Sequence, residues 1–200
     1  MALKFANNNS LSAITSTPSG VGGGSLNLIS TQTASSSATI SFTSGIDSTY
    51  KKYVFKFYDI HPATDNSSFT FQASTDGGSN YNTTVTSSSF RAYHDEPDGN
   101  NGLSYDTSRD QAQGTAFENI IGDIGNDNDQ TGIGTLYLFN PSDTTFVKHF
   151  ISRMSHEIHG YSRDVHSAGY FNTASALNAI QFKMSSGNMD TGTIKLYGVS

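Results

Sequence analysis

From Leu26 onward, apolar and polar positions alternate with a period of two. Ala38, Ile40 and Phe42 alternate with Thr39, Ser41 and Thr43, and Tyr53, Phe55 and Phe57 with Val54, Lys56 and Tyr58. Phe69, Phe71 and Ala73 alternate with Thr70, Gln72 and Ser74, Ile180, Phe182 and Met184 with Gln181 and Lys183, and Ile194 and Leu196 with Lys195 and Tyr197. Successive side chains on a strand point to opposite faces, so this pattern predicts strands with one face buried and one in water. Leu26–Thr33, Phe117–Ile124, Gly134–Phe139, Phe146–Met154 and Ala168–Phe171 are further predicted strands. About ten short strands separated by Gly, Asn, Asp and Ser turns predict an all-β fold: an antiparallel β-sandwich of jelly-roll type. Helix-like spacing occurs only near Asp106–Gln113 and Thr173–Asn178.

The alternation is missing from residues 1–25, which are rich in Asn, Ser and Thr and end in Gly20-Val21-Gly22-Gly23-Gly24-Ser25. Glycine-rich segments are flexible and bury little. The predicted organisation is therefore an extended N-terminal arm with a Gly-rich hinge over 1–25 and a sandwich domain over 26–200. The arm's scattered apolar residues, Leu3, Phe5, Leu11 and Ile14, are the expected docking contacts.

The stretch Ser74-Thr75-Asp76-Gly77-Gly78-Ser79-Asn80-Tyr81 is similar to the Asp-box turn of sialidase propellers, with Asn80 and Tyr81 in place of Thr and Trp. A propeller needs several similar blades of about 40 residues or more, and the chain shows no internal repeat. The turn is therefore read as architectural. Ser74, Asp76, Gly78 and Tyr81 are expected to close a β-hairpin between Phe69–Ser74 and Tyr81–Val85, Asp76 accepting backbone N–H bonds and the glycines permitting positive φ.

Charged residues are 14% of the chain, well below the roughly 25% of ordinary soluble proteins. The surface must instead be made polar by Ser, Thr, Asn and Gly. The net charge is −6 with no Lys/Arg run, which argues against a nucleic-acid partner. No segment has the roughly 20 apolar residues of a membrane helix, so no membrane insertion is expected. The first residues have no apolar core of signal-peptide length, so synthesis in the cytoplasm of the producing cell is expected. The chain has no cysteine, which removes disulfides and thiolate ligands.

Candidate chemistry is sparse. Two polar stretches, Thr86–Gln113 and Asp123–Gly132, are expected to be exposed loops. Asp127 and Asp129 offer hard oxygens for Ca2+, but the surrounding positions break the EF-hand pattern, and no cofactor is expected. In His156-Glu157-Ile158-His159 the two imidazoles would point to opposite faces of a strand and cannot share a zinc ion. They are expected at an exposed hairpin tip. No nucleophile elbow, phosphate loop or dinucleotide fingerprint occurs, and no catalytic residue is assigned. Tyr93, His94, Tyr105, His159 and Tyr161 sit among polar loop residues. They are the candidate surface contacts, because a tyrosine combines a flat apolar face with a polar tip.

The opening MALKFANNNSLSAIT, the segment TQTASSSATISFTSGIDSTYKKYVFKFYDIHPATD, the STDGGSNY turn and the closing NAIQFKMSSGNMDTGTIKLYGVS resemble small structural proteins of marine tailed phages and cyanophages. The resemblance covers most of the chain except roughly 87–108 and 155–165. It implies a non-enzymatic virion component, released by host lysis, that contacts major capsid or tail proteins. Two placements follow: a capsid decoration or cement protein (or short knob) anchored by the arm, and a tail-fibre protein that touches host surface glycan. A β-sandwich glycan-active enzyme is the remote alternative. Displayed phage proteins are symmetric multimers, so a homo-oligomer is expected, with a trimer as the specific guess.

Overall fold

The structure is a computed structural model that describes residues 26–200. The arm residues Leu3, Phe5, Leu11 and Ile14 and the Gly-rich hinge lie outside the described residues. Among the described residues there is no helix, and twelve strands form two sheets. The strands are β1 (Leu26–Ser37), β2 (Ile40–Phe42), β3 (Lys52–Pro62), β4 (Ser67–Ser74), β5 (Val85–Asp95), β6 (Asn101–Tyr105), β7 (Glu118–Ile124), β8 (Gly132–Phe139), β9 (Lys148–Ile158), β10 (Tyr161–Phe171), β11 (Ala179–Met184) and β12 (Met189–Val199). The large sheet has the order β1-β12-β3-β8-β9-β10-β5-β6, and the small sheet β2-β11-β4-β7. Every pairing is antiparallel. The predicted antiparallel β-sandwich is the observed fold.

The core lies where the small sheet covers the middle of the large one. Phe182 of β11 is its hub, with ring centroids 5.1 Å from Phe55, 5.2 Å from Phe57, 5.6 Å from Phe69, and 6.2 Å from Phe42 and Phe71. Mostly edge-to-face pairs such as these add roughly 0.5–1.5 kcal/mol each beyond the area they bury. Phe71 continues the cluster to Phe150 of β9 and Phe171 of β10. These rings are the inward members of the two-residue alternation, which is why the pattern located their strands.

Four local expectations are corrected. First, the stretch Thr86–Gln113 is not one loop. It holds β5, an interior strand paired on both sides, and β6. Second, the two helix-like segments, Asp106–Gln113 and Thr173–Asn178, are turns and coil. Third, the Asp-box-like turn forms as predicted but does not close a hairpin. Ser74 Oγ donates to Asp76 Oδ1 at 2.6 Å and accepts from Gly78 N–H at 3.0 Å, while Asp76 Oδ1 accepts from Asn80 N–H at 2.9 Å. Gly77 and Gly78 have φ of 75° and 91°, and a Cβ on Gly78 would lie 2.7 Å from the Tyr81 hydroxyl. The turn carries the chain from β4 in the small sheet to β5 in the large one, and Tyr81–Thr84 is coil. Fourth, His156 is not at an exposed tip. It is 3% exposed and points into the sandwich.

Candidate functional site

Strand register sorts the large sheet's side chains into an inner face, toward the small sheet, and an outer face. The outer face carries the larger share of exposed chemistry. One row across it runs Leu28, Tyr197, Val54, Tyr137, Ile151, Ala168 and Ser88. The next runs Thr31, Lys195, Lys56, Thr135, Arg153, His166, Phe90 and Tyr105. Among the described residues, ten large hydrophobic side chains are exposed. Leu26, Leu28, Tyr58, Phe90, Leu103, Tyr105, Ile133, Tyr137 and Ile151 all stand on this face, and only Phe146 lies elsewhere. Single exposed apolar residues are ordinary, but concentration on one face marks a contact surface.

The charge on the face is ordered. Lys52, Lys56 and Lys195 lie in the half made by β12 and β3, their ammonium groups 5.9, 5.5 and 5.4 Å from the ring centres of Tyr137, Tyr197 and Tyr58. In the other half Arg153 forms a two-pronged pair with Asp164, at 3.2 and 2.8 Å, and His166 stacks on Phe90 at 4.9 Å. A shallow groove of about 370 Å³ sits at the end of this half. It is bordered by His94, Glu96, Ser155, Glu157, Tyr161 and Ser162 among others.

The predicted contact residues fall at that end of the sheet, though not on one surface. His94 faces outward and bonds Asp98 at 3.1 Å. Tyr105 stands on the outer face, its hydroxyl donating to Asp110 at 2.6 Å. Tyr93 and Tyr161 are half-buried on the inner side, ring centres 6.4 Å apart. His159 occupies the β9–β10 turn with φ of 49°, 3.9 Å from Asp65. The structure thus brings together Tyr93 with Tyr161, and His94 with Tyr161 at the groove, while His159 stands apart from them. Asp127 and Asp129 lie in the exposed β7–β8 connection, and no group of three His, Asp or Glu among the described residues is placed to hold a metal ion.

The inner face beneath β7 holds a second constellation, which the sequence reading missed. Here β5, β9 and β10 present Ser87, Ser89, Ser152 and Ser167 in place of apolar side chains. Ser89 and Ser167 are hydrogen-bonded at 3.0 Å. Glu118 of β7 points into this polar layer and is fully buried, with Oε2 accepting from Gln111 Nε2 at 2.9 Å. Burial pushes its carboxyl up to about 7, against the opposing hydrogen bonds of Ser87 and Gln111. One row further, Arg109 bridges Asp106 at 3.3 Å and Asp123 at 3.0 Å, Arg91 meets Asp106 at 3.3 Å, and Arg163 meets Asp123 at 3.2 Å. The Arg109 guanidinium packs against Gly122, where a Cβ would stand 2.2 Å from it and would force it to move.

His156 lies beside this network. The Gly122 backbone is near its ring, but neither ring nitrogen makes a hydrogen bond. Burial, with Arg163, Arg109 and Arg91 alongside, holds its imidazole down at about 3. The arrangement fastens the 106–117 segment and β7 to the large sheet, with the histidine kept neutral. The signal for His156 was available: Phe150, Ser152, Met154, His156 and Ile158 share one register. Compared with family models, curated proteins and solved structures, the chain matches none.

Proposed function

We propose that the protein is a non-catalytic structural component of a bacteriophage particle, displayed on the particle surface and anchored by its N-terminal arm. The observation that carries the reading is the outer face of the large sheet, where nine of the ten exposed large hydrophobic side chains among the described residues collect. A broad face of tyrosine, leucine and isoleucine interspersed with lysines is suited to lasting contact with other protein surfaces, and many copies on a particle would multiply a moderate contact into strong attachment. The sequence resemblance to phage structural proteins supports the same role, with major capsid or tail proteins as neighbours. The decoration or cement placement is preferred, because the face is broad rather than a deep cleft.

The test is to purify particles by density gradient and locate the chain on them by cryo-electron microscopy. The expected result is regular density on the head surface. Density at the tail tip would support host contact instead, and recovery of the chain only from the soluble lysate would overturn the reading.

A receptor-binding reading is favoured by one observation. His94, Glu96, Glu157 and Tyr161 border a groove of about 370 Å³, and tyrosine with carboxylates suits stacking and hydrogen bonding to a sugar. Binding of fluorescent host polysaccharide, lost in Tyr161→Ala, would support this reading over the first.

A further inference from the structure

We infer that the outer face of the large sheet is a two-fold interface between copies of this chain, with the axis running along the strands between β8 and β9. The inference deepens the proposed function by assigning the same outer face to a second copy of this chain, and its test reads the isolated protein and not the particle.

Three observations carry it. The first is size. Eight strands about 4.8 Å apart span roughly 34 Å, and the outward rows extend over roughly 20–25 Å, so the face offers about 700–800 Å². A standard stable interface takes about 800 Å² from each partner.

The second is self-complementarity. The boundary between β8 and β9 is the midline of the eight strands. Rotation about it lays β8 over the second copy's β9, β3 over β10, β12 over β5 and β1 over β6. Exposed apolar groups occupy both members of the central pair in one row, Tyr137 on β8 and Ile151 on β9, and each outermost strand carries one, Leu28 on β1 and Tyr105 on β6, one row apart. A two-fold contact requires one patch to match itself in this way.

The third is charge. The half that holds Lys52, Lys56 and Lys195 would lie over a half in which Asp164 is already paired with Arg153, so the lysines meet rings, with Lys56 on β3 over His166 on β10. In their shared row, Lys195 on β12 would lie over Phe90 on β5 of the second copy, a cation over an exposed ring. Phe90 is 45% exposed although one side of its ring stacks on His166, which leaves its other side open to a second copy.

The experiment is sedimentation velocity on the full chain from low to high micromolar concentration. A species of twice 21.4 kDa is expected to grow with concentration. Ile151→Arg, at a position 49% exposed, should weaken association by about tenfold or more without lowering the melting temperature at low concentration, where both proteins are monomers. Phe146→Arg, off the face, should leave association unchanged. A wild-type chain that stays at 21.4 kDa throughout, or a dimer indifferent to Ile151→Arg, overturns the inference.

Orientation is tested separately. The chain has no cysteine, so Leu28→Cys and Tyr105→Cys proteins can be mixed and treated with a short bismaleimide. The two proteins should link to each other and not to themselves. Self-linking of Leu28→Cys would mean that β1 edges meet instead, and it would overturn the two-fold face.

Discussion

At the residue scale, two buried ionisable groups set how stability depends on pH, and they act in opposite directions. The Glu118 carboxyl is raised to about 7 from 4.5, so the folded chain holds that proton more tightly than the unfolded one. Its contribution is therefore full at low pH and is lost as pH rises through 7. The His156 imidazole is lowered to about 3 from 6.5, so the unfolded chain binds that proton more tightly, and stability falls as pH drops from 6.5 toward 3. Between about 4.5 and 6.5 the two slopes oppose each other and stability should be nearly flat. The prediction is that Glu118→Gln, which keeps the shape and the Gln111 contact, raises stability at pH 8 by about 2–3 kcal/mol and changes little at pH 4. Urea unfolding at the two pH values measures it, and an equal effect at both would refute the assignment. Neither shift is readable from sequence, because each depends on which elements close over the side chain.

At the element scale, the turn after β4 shows what a short motif does and does not specify. Its local hydrogen bonds are those expected of Ser74, Asp76 and the two glycines. The direction of the next strand is not local, because it depends on β5 finding β10 and β6. Ser74 is fully buried, and its Oγ serves both Asp76 and Gly78. Ser74→Ala should therefore cost about 1–3 kcal/mol by leaving those groups short of a partner, measured as a shift of the urea midpoint at constant slope. A similar limit explains why β5 was missed. Its inward residues Ser87, Ser89 and Arg91 are polar because they meet Glu118, Ser167 and Asp106, so the usual cue of apolar-inward alternation is absent. Strand β9 was only partly recognised, but its Phe150-to-Ile158 register was available and places His156 inside.

At the scale of the whole molecule, one aromatic cluster holds the two sheets together and one face is left apolar. Phe182 touches rings from three other strands, β2 and β4 of the small sheet and β3 of the large one. Phe182→Ala should lower stability by about 3–5 kcal/mol, with the transition still monitored by tyrosine fluorescence because the chain has no tryptophan. A loss below 1 kcal/mol would mean that the sheets are held elsewhere. The exposed face has the opposite logic: substitutions such as Ile151→Arg should spare the fold and affect association. This division between residues that hold the sandwich and residues that meet a partner is a property of the assembled sheet.

The sequence by itself determined the fold class. A two-residue alternation of aromatic and hydroxyl side chains can satisfy the hydrophobic effect only as strands that bury one face, so an all-β sandwich followed from local pattern. It also determined the chemistry of the turn at Ser74–Tyr81, since those bonds join near neighbours in the chain. Tertiary structure alone decided the strand order, the burial of His156 and Glu118, and the gathering of Leu28, Phe90, Leu103, Tyr137 and Ile151 on one surface. Those outcomes join residues far apart in sequence, and alternation records that a side chain points to one side of its strand without recording which side the second sheet will cover.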